Sequence, residues 1–195
     1  MVQLLIVLLK LHKMNKIEDL YRNCKGFIVS IYLTGSRAYK TQRAESDLDI
    51  IIICRDRDGI KAVRDYLQSH RYPGIDCIRI TCRANMGVNL HTMLDKYNVL
   101  LMGEDVLNYF DVTNSINKIE TCKYIRKYIK QLGVGDKRWY LVFLVTYVMY
   151  YNTYDLPSDV LDVVIDIKNG QYDADLLTQN LYSMLSKIEG DLGER

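Results

Sequence analysis

The sequence predicts an α/β (α+β) chain in which a small mixed sheet is followed by a C-terminal helical bundle. Residues 27–33 and 48–54 are apolar runs with the aromatic and β-branched content of buried strands. An isoleucine-rich segment at 74–81 begins on a Pro73-Gly74 turn signal and reads as a third strand. Beyond about residue 110 the spacing of apolar residues becomes that of helices.

The chain begins with an apolar run over residues 1–11. It is shorter than the roughly 20 residues a membrane span needs. No small-residue cleavage site follows, and Lys10, His12, Lys13 and Lys16 come after the apolar residues, the reverse of a secretory signal. Residues 1–13 are open to three readings: an added helix, an oligomer contact, or a misassigned start. Between the second and third strands, residues 58–70 place Ile60, Val63, Tyr66 and Leu67 at helical spacing, so a helix is expected to cover one face of the sheet. Residues 89–101 also read as helical.

The first two strands are joined by a polar connection from Thr34 to Asp49. Strand alternation sends Asp47 and Asp49 to the same side of the sheet, so two negative charges meet near a strand end. Carboxylates forced together repel, and a hard divalent cation such as Mg²⁺, which prefers oxygen ligands and shares them with phosphates, relieves that repulsion. Gly35 and Ser36 supply a complementary element. A residue without Cβ lets backbone approach a ligand, and successive N–H groups with a hydroxyl can cradle phosphate oxygens. Cys54 falls on the opposite side of the strand from the aspartates and reads as core.

Gly-Ser followed by Asp-x-Asp in a strand, with twelve positions from Gly35 to Asp47, resembles the signature of the DNA-polymerase-beta-like nucleotidyltransferase superfamily. Gly-Ser-Arg-Ala-Tyr and Glu-Ser-Asp-Leu-Asp are closest to its small stand-alone members, with Lys40 and Ala44 departing where glycine and proline are common. The resemblance covers residues 15–108. It implies a third carboxylate on a neighbouring strand, for which Asp76 is the candidate, and two Mg²⁺ ions (or Mn²⁺) held by Asp47, Asp49 and Asp76. It further implies nucleoside triphosphate, with ATP favoured, bound by Gly35, Ser36, Arg37, Lys40 and Ser46. The implied reaction is transfer of NMP, chiefly AMP, to an acceptor hydroxyl. The domain plan is then an apolar extension at 1–14, a catalytic domain at 15–110 and a helical domain at 111–195.

In the helical part, residues 115–132 carry Ile116, Ile119, Cys122, Ile125 and Ile129 before the Gly133-Val134-Gly135 break. Lys123, Arg126, Lys127 and Lys130 lie on the other side, as a phosphate-binding face or, more in keeping with a net charge of only +2, a solvated one. Residues 139–151 are apolar all round, as in a buried bundle helix, and too short to span a membrane. Ser158 is expected to cap the next helix. Asp159, Asp162 and Asp166 share one of its faces; that face is solvated or, turned to a cleft, supplies a base or attracts a cationic acceptor. A last helix is expected at 173–188, with 190–195 frayed.

The 195 residues are 49% hydrophobic, enough for a real core. Five cysteines without paired spacing point to free thiols in a reducing, cytoplasmic setting. His12, His70 and His91 lack zinc-ligand spacing. The acceptor is left open among a small molecule such as an aminoglycoside, an RNA, and a protein, including an antitoxin-type activity on a partner toxin; a catalytically inactive nucleotide-binding module is a further alternative. No membrane association is expected, and the apolar segments leave room for a homodimer.

Overall fold

The computed structural model describes residues 14–39, 47–82, 90–107 and 112–193, and these divide into two compact units. Of the described residues, the first unit takes 14–39, 47–82 and 97–106, and the second takes 90–96, 107 and 112–193. Residues 1–13, with the three readings of the apolar start, lie outside the described residues.

The first unit is a four-stranded sheet. Helix α1 (residues 14–23) precedes β1 (Ile28–Thr34), which runs into a single helical turn α2 (Gly35–Ala38). Then come β2 (Leu48–Cys54), α3 (Arg57–Ser69), β3 (Ile75–Cys82) and, further along, β4 (Val99–Gly103). The strand order is β3-β2-β1-β4, with β2 and β3 parallel and β1 antiparallel to both its neighbours. The sheet is mixed because α3 provides the crossover that a parallel pair requires. Asp56 starts that helix, its carboxylate accepting a hydrogen bond from the Gly59 amide at 2.7 Å.

One face of the sheet is the core. Ile28 and Ile31 of β1 and Ile50, Ile52 and Cys54 of β2 meet Ile17 and Leu20 of α1 and Val63 of α3. Every residue named is buried, and each large aliphatic chain removed from water contributes about 1.5–3 kcal/mol. Because strand side chains alternate, Asp49, Ile51 and Ile53 belong to the opposite face.

Residues 99–101 correct an expectation. Read as helical, they form β4 against β1, with Leu33 paired to Val99 and Ile31 to Met102. Without β4 the backbone groups along that side of β1 would lack partners, and pairing them outweighs a helical pattern in a short segment. Gly103 closes the strand at φ 86° with its Cα against the Val29 carbonyl, where a Cβ would collide. From there the Glu104 amide donates to the Val29 carbonyl at 3.1 Å.

The second unit is helical: α4 (Leu90–Met93), α5 (Ser115–Ile129), α6 (Trp139–Tyr151), α7 (Ser158–Asn169) and α8 (Ala174–Gly193). Helix α6 is buried along Leu141, Val142, Leu144, Val145, Val148 and Met149, as its all-round apolar character implies. Helix α8 faces the bundle with Leu177, Leu181, Leu185 and Ile188.

Three details differ from the sequence reading. Ile119 is 42% exposed because the buried stripe of α5 runs through Cys122, Ile125 and Ile129, leaving Ile119 on its shoulder. Ser158 is the first residue of α7 rather than its cap; Pro157 occupies the cap and its carbonyl accepts from the Leu161 amide at 3.1 Å. Helix α8 continues through Gly190 to Gly193 instead of fraying. No helix of the described residues is long and apolar enough to cross a membrane. Cys24, Cys54, Cys82 and Cys122 are free thiols in the interior, and burial pushes the Cys122 thiol up to about 11.

Candidate active site

The acidic residues lie where β2 and β3 begin. Asp49 stands directly across from Asp76 in the parallel ladder, and residues paired in this way share a face of the sheet. Asp49 is half-buried, Asp76 is exposed, and Asp47 is exposed just before the strand starts. On the other side of β2, Thr34 at the end of β1 is the register partner of Asp49.

The turn that follows Thr34 is pressed against Asp49. Gly35 has φ 67°, in the left-handed region, and a Cβ built on it would collide with the Asp49 carboxylate. Glycine is therefore required twice over, by conformation and by contact. Ser36 is buried beside it. Arg37 ties the turn to the aspartate segment, its Nε donating to the Asp47 carbonyl at 3.1 Å. The structure thus brings Gly35, Ser36 and Arg37 together with Asp47 and Asp49, and sets Asp76 beside Asp49. Lys40 and Ser46 lie outside the described residues.

Two further groups of residues belong to this neighbourhood. The Thr34 and Tyr39 hydroxyls hydrogen-bond at 2.8 Å in the interior, and the Tyr39 amide donates to the Gly35 carbonyl at 3.0 Å, so Tyr39 staples the turn closed. Its ring packs edge-on against Tyr97, 6.0 Å between centroids. Arg79 pairs with Ile51, on the aspartate face, because the β2–β3 register shifts between Ile50 and Ile51. In sequence, Asp76 and Arg79 are three apart, and strict alternation would put them on opposite faces; the irregularity cancels the odd spacing. No sequence signal marks it, whereas the tyrosine of Gly-Ser-Arg-Ala-Tyr was in view without an assigned role.

The donor chemistry at the strand ends, carboxylates and no thiol or imidazole, suits a hard divalent cation. Among the described residues, however, no group of three or more His, Cys, Asp or Glu side chains is gathered so that it could hold a metal ion. A cavity of about 560 Å³ lined by Leu67, His70, Arg71, Tyr72, Pro73 and Ile75 opens near the start of β3. Ile75 packs toward the core side, opposite Asp76, so this cavity is separate from the aspartate face.

The first unit thus joins a mixed sheet to a glycine-serine turn packed on a strand carboxylate. Residues 14–82 match the family model described as the nucleotidyltransferase domain, consistent with a polymerase-beta-like nucleotidyltransferase. The match runs from α1 to the end of β3 and supports nucleotidyl transfer as the general activity. None of the curated proteins matches this chain.

Proposed function

We propose that this chain transfers a nucleoside monophosphate, chiefly AMP from ATP, to an acceptor hydroxyl. The observation that carries the proposal is the packing of left-handed Gly35 on the Asp49 carboxylate, which puts a tight backbone turn next to an acid whose ladder partner is Asp76. Asp47, Asp49 and Asp76 would hold Mg²⁺, which when bound neutralises charge on the phosphates and on the attacking and leaving oxygens. Gly35 and Ser36 take the triphosphate tail through backbone N–H groups and a hydroxyl. Arg37, Lys40 and Ser46 add cationic and hydroxyl contacts to it. Thr34 and Tyr39 hold the turn in shape, which matters because positioning supplies much of the rate in phosphoryl chemistry. In domain terms, the sheet unit is the catalytic domain and the helical unit the appended one.

The decisive experiment incubates purified protein with each labelled nucleoside triphosphate and Mg²⁺, in separate lanes with RNA, protein and aminoglycoside acceptors. A labelled product that disappears in Asp49→Asn, with the fold retained, supports the proposal. Substantial transfer by a folded Asp47→Asn/Asp49→Asn double variant would refute it.

The alternative reading is a nucleotide-binding module without turnover. Nucleotide binding without product in any lane selects that reading. The acidic residues of α7, Asp159, Asp162 and Asp166, are all exposed, in keeping with the solvated face.

A further inference from the structure

Helix α5 presents a face that the packing of its own unit leaves unused. Its inner side buries Thr121, Cys122, Ile125 and Ile129, and Arg126 turns toward α8 to pair with Glu189 at 2.7 Å. Lys123, Lys127 and the following Lys130 point outward at intervals of four and three, which aligns them in one exposed stripe. None of these three makes an ion pair with a described residue. Beside the stripe, the Tyr124 and Tyr128 rings are stacked, 5.5 Å between centroids and 19° between planes. The Arg138 guanidinium lies 5.4 Å from the Tyr128 ring centroid, oriented by the Asp136 carboxylate through a 2.9 Å hydrogen bond. Planar groups in mutual contact are thereby bordered by a row of exposed ammonium groups.

We propose that this face binds single-stranded nucleic acid, with bases packing on the tyrosine rings and phosphates on the lysines. Stacking tolerates any base because every base has a π-face, and lysines reward the regular phosphate charge by releasing counterions. An acidic peptide would satisfy the lysines alone, whereas a single strand also offers planar bases to the aromatic edge of the patch. A duplex keeps its bases stacked on each other, out of reach of the rings. Glu120 is exposed on the same face, three residues before Lys123 and four before Tyr124, and there it repels phosphate. Such binding needs neither nucleoside triphosphate nor Asp47, Asp49 and Asp76, so it stands or falls separately from transfer.

The test measures binding of the full chain to labelled oligo(U) and oligo(dT), without nucleotide, across a salt series. Replacing Lys123, Lys127 and Lys130 together by glutamine should weaken binding about ten-fold or more and reduce the log–log salt slope by about 0.7 per lysine that contacts a phosphate. Tyr128→Ala should cost about ten-fold, and Glu120→Gln should tighten binding. Thermal melting checks that each variant is folded, and the lysine triple variant, altered only at exposed positions, keeps the test valid if Tyr128→Ala unfolds. Failure of the wild-type chain to bind either oligonucleotide would overturn the proposal. So would binding to poly-glutamate of equal strength that the tyrosine variant leaves unchanged, or a preference for duplex over single strand.

Discussion

The two units use charge in opposite ways. In the helical unit, cations are placed against aromatic rings or acids: Arg126 with Glu189 and over Tyr182, Lys187 over Tyr150, Lys168 over Tyr140, Lys96 over Tyr154. Each contact ties one part of the unit to another, and each adds a modest increment at a partly exposed site. In the sheet unit, β2 instead sets Asp49 across from Asp76, with Asp47 two residues before. Charge that holds the helical unit together is paired inside it, whereas the sheet unit carries the proposed metal ligands at neighbouring strand ends.

The sharpest way to break this contrast is to remove each kind of group and ask what is lost. Asp49→Asn should reduce nucleotidyl transfer by about 100-fold or more, the scale of a lost electrostatic element at a transition state. Its melting temperature should stay close to the wild-type value, because Asn keeps the size of Asp and fills the same space against Gly35. A large drop in melting temperature would show that Asp49 is structural and would dissolve the contrast.

Leu185→Ala is the reverse case. Leu185 is fully buried on α8, and its truncation should destabilise the protein by about 2–5 kcal/mol in denaturant unfolding. Nucleotide binding, measured on the folded fraction well below the melting point, should be unchanged. Gly35→Ala lies between the two. A non-glycine residue in the left-handed region costs about 1–2 kcal/mol, and the added Cβ also displaces the Asp49 carboxylate, so stability and transfer should fall together. Loss of transfer in Gly35→Ala with wild-type stability would mean that the turn relaxes easily and that its contact with Asp49 is all that matters.

Most of the sheet unit could be read from the chain because it rests on local signals. The apolar runs gave β1 and β2, Pro73-Gly74 gave the start of β3, and the spacing of Ile60, Val63 and Leu67 gave α3. β4 was missed because nothing within residues 99–103 indicates that an edge of β1 needs a partner; that requirement is tertiary. At the candidate site, Gly35 and the aspartates stood out as residue types with few other uses in such a pattern. The face of Arg79 depends on a register shift, and the role of Tyr39 depends on the depth of Thr34, so neither could be read from spacing. In the helical unit, apolar periodicity located the helices, but the partner of Arg126 lies 63 positions away and only packing reveals it.

The smallest expected effect tests whether the charges of the helical unit are structural even where exposed. Between α5 and α6 the chain folds back on itself: the Asp136 amide donates to the Gly133 carbonyl at 3.2 Å, and the Trp139 indole donates to the same carbonyl at 3.0 Å. The Asp136 carboxylate also accepts from the Arg138 amide and guanidinium, each at 2.9 Å. The Arg138 hydrogen bond chiefly, with its charge, holds the Asp136 carboxyl below its usual range, against a smaller opposing effect of burial. A carboxyl whose folded value is depressed stabilises the fold above its unfolded value, and that contribution is lost as pH falls through the folded value. Asp136→Asn should therefore flatten the acid limb of the stability curve at pH values below the ordinary carboxylate range. The change at neutral pH should be less than about 1 kcal/mol, because the guanidinium is about half exposed and solvent screens the pair. Arg138→Met should produce the same flattening, and the double variant should add nothing to it. If the acid limbs of both single variants match the wild type, the pair is a solvated surface contact, and the turn between the two helices is held by its backbone and by Trp139 alone.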